Sequence, residues 1–179
     1  ELVFELWKIL DTKLDEVSSN QDKARSIRTV FDEIEMPLVP VLYVMEKRGI
    51  ILNQKSFADM STRLSTAIEE LAKQIYMLAG REFNINSPKQ LAEVLFVDLK
   101  IPTDFIKKNK TGISTASSEL QKLGEYPIAA KIESYRELFK LKSTYLDALP
   151  TLTDSDSRLH TTYQQTIAAT GRLSSINPN

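Results

Sequence analysis

The chain has 179 residues, a hydrophobic fraction of 42% and a net charge of −1, enough to bury a core and too balanced to read as a polycation. It has no cysteine and a single histidine, His160, which excludes disulfides and thiol catalysis and argues against a histidine-built metal site. No apolar run reaches the roughly 18 residues of a membrane span and no basic-then-apolar leader is present, so a soluble cytoplasmic protein with no membrane partner is expected.

Leu2, Leu6, Ile9, Leu10 and Leu14 recur at three- and four-residue spacing and predict an amphipathic helix over residues 1 to 17, ended by Ser18, Ser19 and Asn20. A second helix is expected over 22 to 34. Met36-Pro37 should break it, and Leu38-Val39-Pro40-Val41-Leu42 should start a third, with Pro40 in its first turn and Gly49 at its end. From 53 to 79, Phe57, Met60, Leu64, Ala67, Leu71, Gln74 or Ile75, and Leu78 follow near-heptad spacing, which predicts one helix of about seven turns stopped by Gly80. Ser87 caps a short helix that opens with Pro88 and runs to 99. Residues 101 to 115 read as loop, and another short helix falls near 116 to 123.

Ile128, Ile132, Tyr135, Phe139, Leu146 and Leu149 form a second long stripe between Pro127 and Pro150, so the two long helices should pair antiparallel. On that spacing Tyr135 and Phe139 read as core rather than as stacking platforms. Beyond Pro150, residues 153 to 157 read as a turn, and Leu159, Thr161 and Tyr163 alternate with polar neighbours as a strand does. The expected fold is mainly α: a long antiparallel helix pair with a small helical tip, plus a short C-terminal β-hairpin-like segment.

Charge is distributed locally. The loop segment 105 to 115 contains Lys107, Lys108 and Lys110 and no acidic residue, beside Asn86, Ser87 and Lys89 at a helix start whose amides suit phosphate oxygen. Short basic runs and capped helices are ordinarily solvated surface, and on charge alone that reading comes first. Arg136, Lys140, Ser143 and Thr144, at i, i+4, i+7 and i+8, share one helix face, tempered by Glu133 and Glu137. Residues 157 to 179 hold Arg158, His160 and Arg172 but no carboxylate, so metal-assisted phosphoryl transfer has no ligands there. Asp154 and Asp156 read as turn formers and His160 as a hydrogen-bonded surface residue, with no nucleophile motif and no glycine-rich nucleotide loop. No catalytic residue, metal ligand or cofactor is assigned within the chain.

Five segments in order carry a resemblance. They are Glu35-Met36-Pro37-Leu38-Val39-Pro40-Val41-Leu42, Asn84-Ile85-Asn86-Ser87-Pro88-Lys89-Gln90-Leu91, Thr111-Gly112-Ile113-Ser114-Thr115, residues 135 to 145, and Thr170-Gly171-Arg172-Leu173-Ser174-Ser175 followed by Pro178-Asn179. Together they resemble the A-family DNA polymerases of the bacterial DNA polymerase I type. Ile113, Ser117-Ser118 and the 102 to 110 loop depart from that family's pattern.

The resemblance covers nearly the whole chain and implies that residues 1 to 25 end a 3'-5' exonuclease-like domain, 26 to 150 form the thumb and 151 to 179 begin the palm. It implies a fragment of a DNA-directed DNA polymerase, a nucleotidyltransferase of DNA replication and repair, inactive alone. The catalytic aspartates and their magnesium would lie outside this chain, and deoxynucleoside triphosphates would be partners of the parent enzyme only. Primer-template DNA is the implied partner, met in the bacterial nucleoid by a monomer.

By the same resemblance Arg172 reaches the minor groove at the primer terminus, assisted by Asn179 near the junction. Every base pair offers acceptors there, so a donor checks geometry rather than sequence. Arg136, Lys140, Ser143 and Thr144 would face the duplex from the thumb helix. Asn86, Ser87, Lys89, Lys107, Lys108 and Lys110 would hold phosphates farther upstream, contacts that position without specifying sequence. The competing reading is a stand-alone helical interaction module that uses the stripes at 57 to 78 and 128 to 149, a scaffold with no need of the Arg172 segment.

Overall fold

The computed structural model describes residues 2–19, 22, 26–109 and 112–179. Asn20, Lys110, Thr111 and residues 23–25, which belong to the expected 22 to 34 helix and to the end of the expected 1 to 25 segment, lie outside the described residues. In chain order the elements are α1 (Leu2–Ser18), α2 (Ile27–Val30), α3 (Met36–Arg48), β1 (Ile50–Ile51), α4 (Gln54–Ala79), α5 (Pro88–Glu93), β2 (Lys108–Asn109), β3 (Gly112–Ile113), α6 (Ser117–Leu120), α7 (Pro127–Lys140), β4 (Arg158–Leu159), β5 (Thr162–Gln164) and β6 (Ser174–Ile176). The fold is mainly α, and among the described residues the strands form antiparallel pairs: β1 with β4, β2 with β3, and β5 with β6. Among the described residues no helix is long and apolar enough to cross a membrane. The chain packs as two compact units, one of Asn53–Leu152 and one of Glu1–Leu52 with Thr153–Asn179.

Within Asn53–Leu152, local signals set both ends of α4. The Asn53 side chain accepts from the Ser56 amide at 3.0 Å, and Gly80 closes the helix in the left-handed conformation at φ 75. Its 26 residues rise about 39 Å at about 1.5 Å each. α7 starts at Pro127, whose missing N–H is harmless in a first turn. The two run antiparallel: Ser61 Oγ donates to Asp147 at 2.6 Å, and Lys131 Nζ donates to Gln74 at 2.6 Å nearer the other end.

The inward face of α4 differs from the heptad reading. Ile68, Leu71, Ala72, Ile75 and Ala79 pack on the core, whereas Met60, Ala67 and Leu78 are exposed. A single helix paired with one partner keeps 3.6 residues per turn, so a 3.5-residue stripe drifts off the contact face over this length. On α7, Ile128, Ile132 and Tyr135 are buried as the spacing predicts, while Phe139 is partly exposed and stacks on Tyr135 with ring centroids 5.8 Å apart.

The tip is a helical cluster. Ser87 accepts from the Gln90 amide at the start of α5, which widens into a π-helical turn over Val94–Asp98. Leu91, Val94 and Leu95 meet Leu120 and Leu123, from α6 and its 3₁₀ continuation, and Ile132 of α7. Complete burial of each such side chain contributes about 1.5–3 kcal/mol. The expected 101 to 115 loop contains a small hairpin, Lys108 opposite Ile113 and Asn109 opposite Gly112, whose polar residues carry no alternation that would announce a strand.

Glu1–Leu52 with Thr153–Asn179 is more thinly packed. α1 forms as expected, but Leu2, Leu6, Ile9 and Leu10 are all exposed, and Trp7, Leu10, Leu14, Val17, Ile27 and Phe31 line an apolar groove of about 540 Å³. Arg28 ties α1 to α2 through Asp11 at 2.7 Å and Asp15 at 3.2 Å. Met36-Pro37 does not break the helix as expected. α2 continues through a π-helical turn, Phe31–Glu35, into α3, and the Met36 amide reaches back to the Phe31 carbonyl. The wider turn accommodates a proline that has no N–H to give and whose ring would otherwise strike the carbonyl four residues back. Pro37 therefore takes the first turn, and Pro40 lies inside the helix.

The predicted strand after the 153 to 157 turn is split. Arg158 and Leu159 pair with Ile51 and Ile50, then Thr162, Tyr163 and Gln164 pair with Ile176, Ser175 and Ser174.

Candidate nucleic-acid interface

Arg136 organises the tip of Asn53–Leu152. Its Nη1 donates to the Thr115 carbonyl and its Nη2 reaches the Thr115 hydroxyl at 3.4 Å. Burial pulls the guanidinium below its ordinary value, partly offset by Glu133, yet it stays charged at any physiological pH. Arg136 thus holds the 114 to 116 segment in place as well as lending it positive potential.

A groove of about 460 Å³ runs beside this contact, lined by Asn86, Pro88, Asn109, Ser114, Thr115 and Arg136 among others, none of them acidic. Asn86 is fixed from below by the Tyr135 hydroxyl, 3.4 Å from its amide nitrogen. Ser87 spends its hydroxyl on the α5 cap, and Lys89 is exposed and pairs with no carboxylate among the described residues. A second concavity on the other side of Arg136 also takes in Lys140, but Glu133 and Glu137 line it too. An anion is therefore better accommodated in the first groove than in the second.

The basic hairpin is anchored by a buried carboxylate. Glu119 accepts from the Lys107 amide at 2.9 Å and from Lys122 Nζ at 2.7 Å, while Lys122 also donates to the Phe105 carbonyl at 3.2 Å. Lys122 first and the Lys107 amide second hold the Glu119 carboxyl below the usual range. The side chains of Lys107 and Lys108 are exposed, and Asn109 from the same hairpin lines the acid-free groove. Lys110 lies outside the described residues.

Ser143 and Thr144 lie within a widened turn, Leu141–Leu146, that continues the end of α7. The wider register turns less per residue than an α-helix, so Ser143 and Thr144 are offset around the axis from the i+7 and i+8 positions that a regular helix would give them. Both are exposed, and Ser143 Oγ donates to the Phe139 carbonyl at 2.8 Å. Sequence reasoning overlooked Thr115, Asn109 and Glu119. The first lies in the motif at 111 to 115 and could have been found there, whereas Glu119 carries no local signal.

In the other unit, Arg172 lies in the connection between β5 and β6, just after Gly171 at φ 75. It is exposed and pairs with no carboxylate among the described residues. Asn179 follows β6, and its side-chain oxygen is 3.4 Å from Ser175 Oγ. Thr161 Oγ1 is shared between the Ile176 carbonyl at 3.0 Å and the Pro178 carbonyl at 2.7 Å, which fixes the chain leading to Asn179.

Asp154 is a turn former: one carboxylate oxygen accepts from the amides of Asp156 and Arg158 at 2.9 and 2.8 Å. Among the described residues no three His, Cys, Asp or Glu side chains gather where a metal ion could sit. What the two units offer chemically is exposed cation and amide groups on fixed backbone, the equipment for holding a polyanion.

The model of DNA polymerase family A matches residues 54–179, and the chain belongs to that family. DNA polymerase I of Treponema pallidum is 43% identical over 180 residues, covering 100% of this chain and 17% of that protein. DNA polymerase I of Geobacillus stearothermophilus is 38% identical over 176 residues, covering 97% of this chain and 19% of the relative. The POL domain of Pol1 from M. smegmatis, solved in complex with DNA primer-template and dNTP, matches with a TM-score of 0.80 at 35% identity, over 99% of this chain and 30% of that one. The chain thus spans less than a fifth of the curated relatives' length.

Proposed function

We propose that the chain is the thumb of a DNA-directed DNA polymerase with its flanks, residues 26 to 150 being the thumb and 151 to 179 the start of the palm, and that it grips primer-template duplex. The observation that carries this reading is the acid-free groove bounded by Asn86, Asn109 and Arg136, with Lys107 and Lys108 on the adjoining hairpin. Donors so placed suit phosphate oxygens and fix the register of a duplex without reading its sequence. Arg172 and Asn179 act at the primer terminus, where minor-groove acceptors are common to all correct pairs. Lys89, Lys140, Ser143 and Thr144 extend the contact along the backbone. The M. smegmatis neighbour, matched at 35% identity and solved with primer-template DNA, supports the same partner.

Nucleotidyl transfer itself would use carboxylate-held magnesium, which the parent enzyme supplies outside this chain. The residues here bind and orient the duplex. Against the interaction-module alternative stands the burial of the inner residues of the two stripes on one another, with Ile75, Ile128 and Ile132 in one cluster, while Met60, Ala67 and Leu78 stay exposed.

The test is fluorescence anisotropy of a labelled primer-template with the 179-residue chain at low and moderate salt. Binding that weakens steadily as salt rises is expected, since each neutralised phosphate releases counterion. No binding at low salt, together with stable dimers in sedimentation, would replace the thumb with a protein-interaction module.

A further inference from the structure

His160 sits where the split strand passes the C-terminal end of α3. Its Nδ1 is 2.7 Å from the Glu46 carbonyl, and its Nε2 is 3.1 Å from Asp154 Oδ2. A carbonyl can only accept, so Nδ1 carries a hydrogen. The second partner is a carboxylate already engaged through Oδ1 by two amides, so it too accepts. Only a ring protonated on both nitrogens satisfies both neighbours, because a neutral ring would turn a lone pair toward the carboxylate.

The approach is close. Gly49, at φ 63, has no side chain, and a Cβ there would fall 2.8 Å from His160 Cε1 and 2.8 Å from the Leu159 carbonyl oxygen. Other contacts continue the join along the strand. Arg158 Nη1 donates to the Arg48 and Gly49 carbonyls at 3.1 and 3.3 Å, the Tyr163 amide donates to Glu46 Oε1 at 2.6 Å, and Gln165 Nε2 donates to Glu35 Oε2 at 2.6 Å. Thr161, the next residue, is bonded to the far end of β6.

We propose that His160, as an imidazolium clipped between the α3 terminus and Asp154, is a positioning residue for the hairpin that carries Arg172 and Asn179. The functional meaning of that position rests on the proposed role of those two residues at the primer terminus. The charged neighbours are Asp154 and Asp156 from the turn, Arg158 from β4, and Glu46, Lys47 and Arg48 from the last turns of α3. Glu46 is occupied by the Tyr163 amide and Arg158 is aimed at carbonyls, which leaves Asp154 as the ring's direct charge partner. The Glu46 carbonyl and Asp154 raise the imidazole above its ordinary value against burial and Arg158.

The chain has one histidine, so an NMR titration of the 179-residue protein gives one imidazole signal to follow without assignment ambiguity. The expected midpoint lies above that of a free imidazole, and the amides of Thr161, Ile176 and Asn179 should move with the same midpoint. Asp154→Asn keeps an oxygen for the two turn amides but presents a donor to Nε2, so the midpoint should fall and the coupled shifts should shrink. A midpoint at or below the ordinary value, no response to Asp154→Asn, or strand amides that ignore the His160 titration would each overturn the proposal. No DNA is present in this measurement, so its failure is separate from a failure of the duplex-binding reading, which appears only in anisotropy.

Discussion

The guanidinium of Arg136 on α7 holds the main-chain carbonyl of Thr115, 21 residues earlier, and so fixes one wall of the acid-free groove from the helix behind it. Removing it leaves a part-buried carbonyl without that donor. Arg136→Ala should lower unfolding stability by about 1–3 kcal/mol and move the urea midpoint down with little change in slope. Arg136→Lys keeps the charge but loses the two-pronged donor geometry, and should fall between. An alanine variant with the parent midpoint would remove the supporting role.

Glu119 and Asp147 are both held below the ordinary carboxylate range, the first by Lys122 and the Lys107 amide, the second by Lys142 and Ser61. Their folded values lie below their unfolded ones. The stability they contribute is therefore present above the ordinary carboxylate range and is lost as pH falls through the depressed folded values. Urea titrations from neutral to acid pH should show that loss, and Glu119→Gln combined with Asp147→Asn should flatten it. An unchanged acid slope in the double variant would contradict the assignment.

Ile132 is fully buried in the tip cluster, whereas Met60 is 40% exposed on α4. Ile132→Ala should cost about 2–5 kcal/mol through lost burial and the cavity left behind. Met60→Ala should stay within about 0.5 kcal/mol. Equal costs by chemical denaturation would mean that the heptad stripe, not the observed face, sets the helix contact.

Gly49 and Gly80 both have positive φ, but their surroundings differ. A methyl at Gly80 meets open space, so Gly80→Ala carries only the conformational penalty, somewhat more than about 1 kcal/mol. A methyl at Gly49 collides with the His160 ring and the Leu159 carbonyl. Gly49→Ala should be the more destabilising of the two and should perturb the His160 resonances, which Gly80→Ala should leave in place.

In the complete enzyme, Arg172→Ala should slow primer extension, most visibly from a correctly paired terminus, while leaving the fold intact because the side chain is exposed and pairs with no carboxylate among the described residues. Single-turnover incorporation is the measurement. Rates equal to the parent's would take Arg172 out of the primer-end contact.

How much of this was legible in the sequence varies with how local each cause is. α4 could be read from end to end because Asn53 and Gly80 act on their own neighbours. Its buried face could not be read as well, since the difference between 3.5 and 3.6 residues per turn accumulates along the helix. Pro37 was misread because the compensating π turn depends on the preceding five residues adopting a wider register. The β2–β3 hairpin was invisible because Glu119, which lies twelve residues beyond Lys107, anchors it through that residue's amide. For the candidate site, the motif around Asn86 and the Arg172 segment were legible as residues. The groove that joins Asn86 to Arg136 and Thr115 arises only from tertiary packing.

Buried side chains of the helix pair crowd toward the tip, from Ile75 and Ala79 to Ile128, Ile132 and Tyr135, while Phe57, Ser61 and Leu64 on the opposite half of α4 are only part-buried. Cooperative opening follows such differences in packing. In hydrogen exchange the amides around Ile75 and Ile132 should outlast those in the first turns of α4, whose loss of protection reports fraying of the stem alone. The stem can open and reclose while the surface around Asn86 and Arg136 keeps its shape.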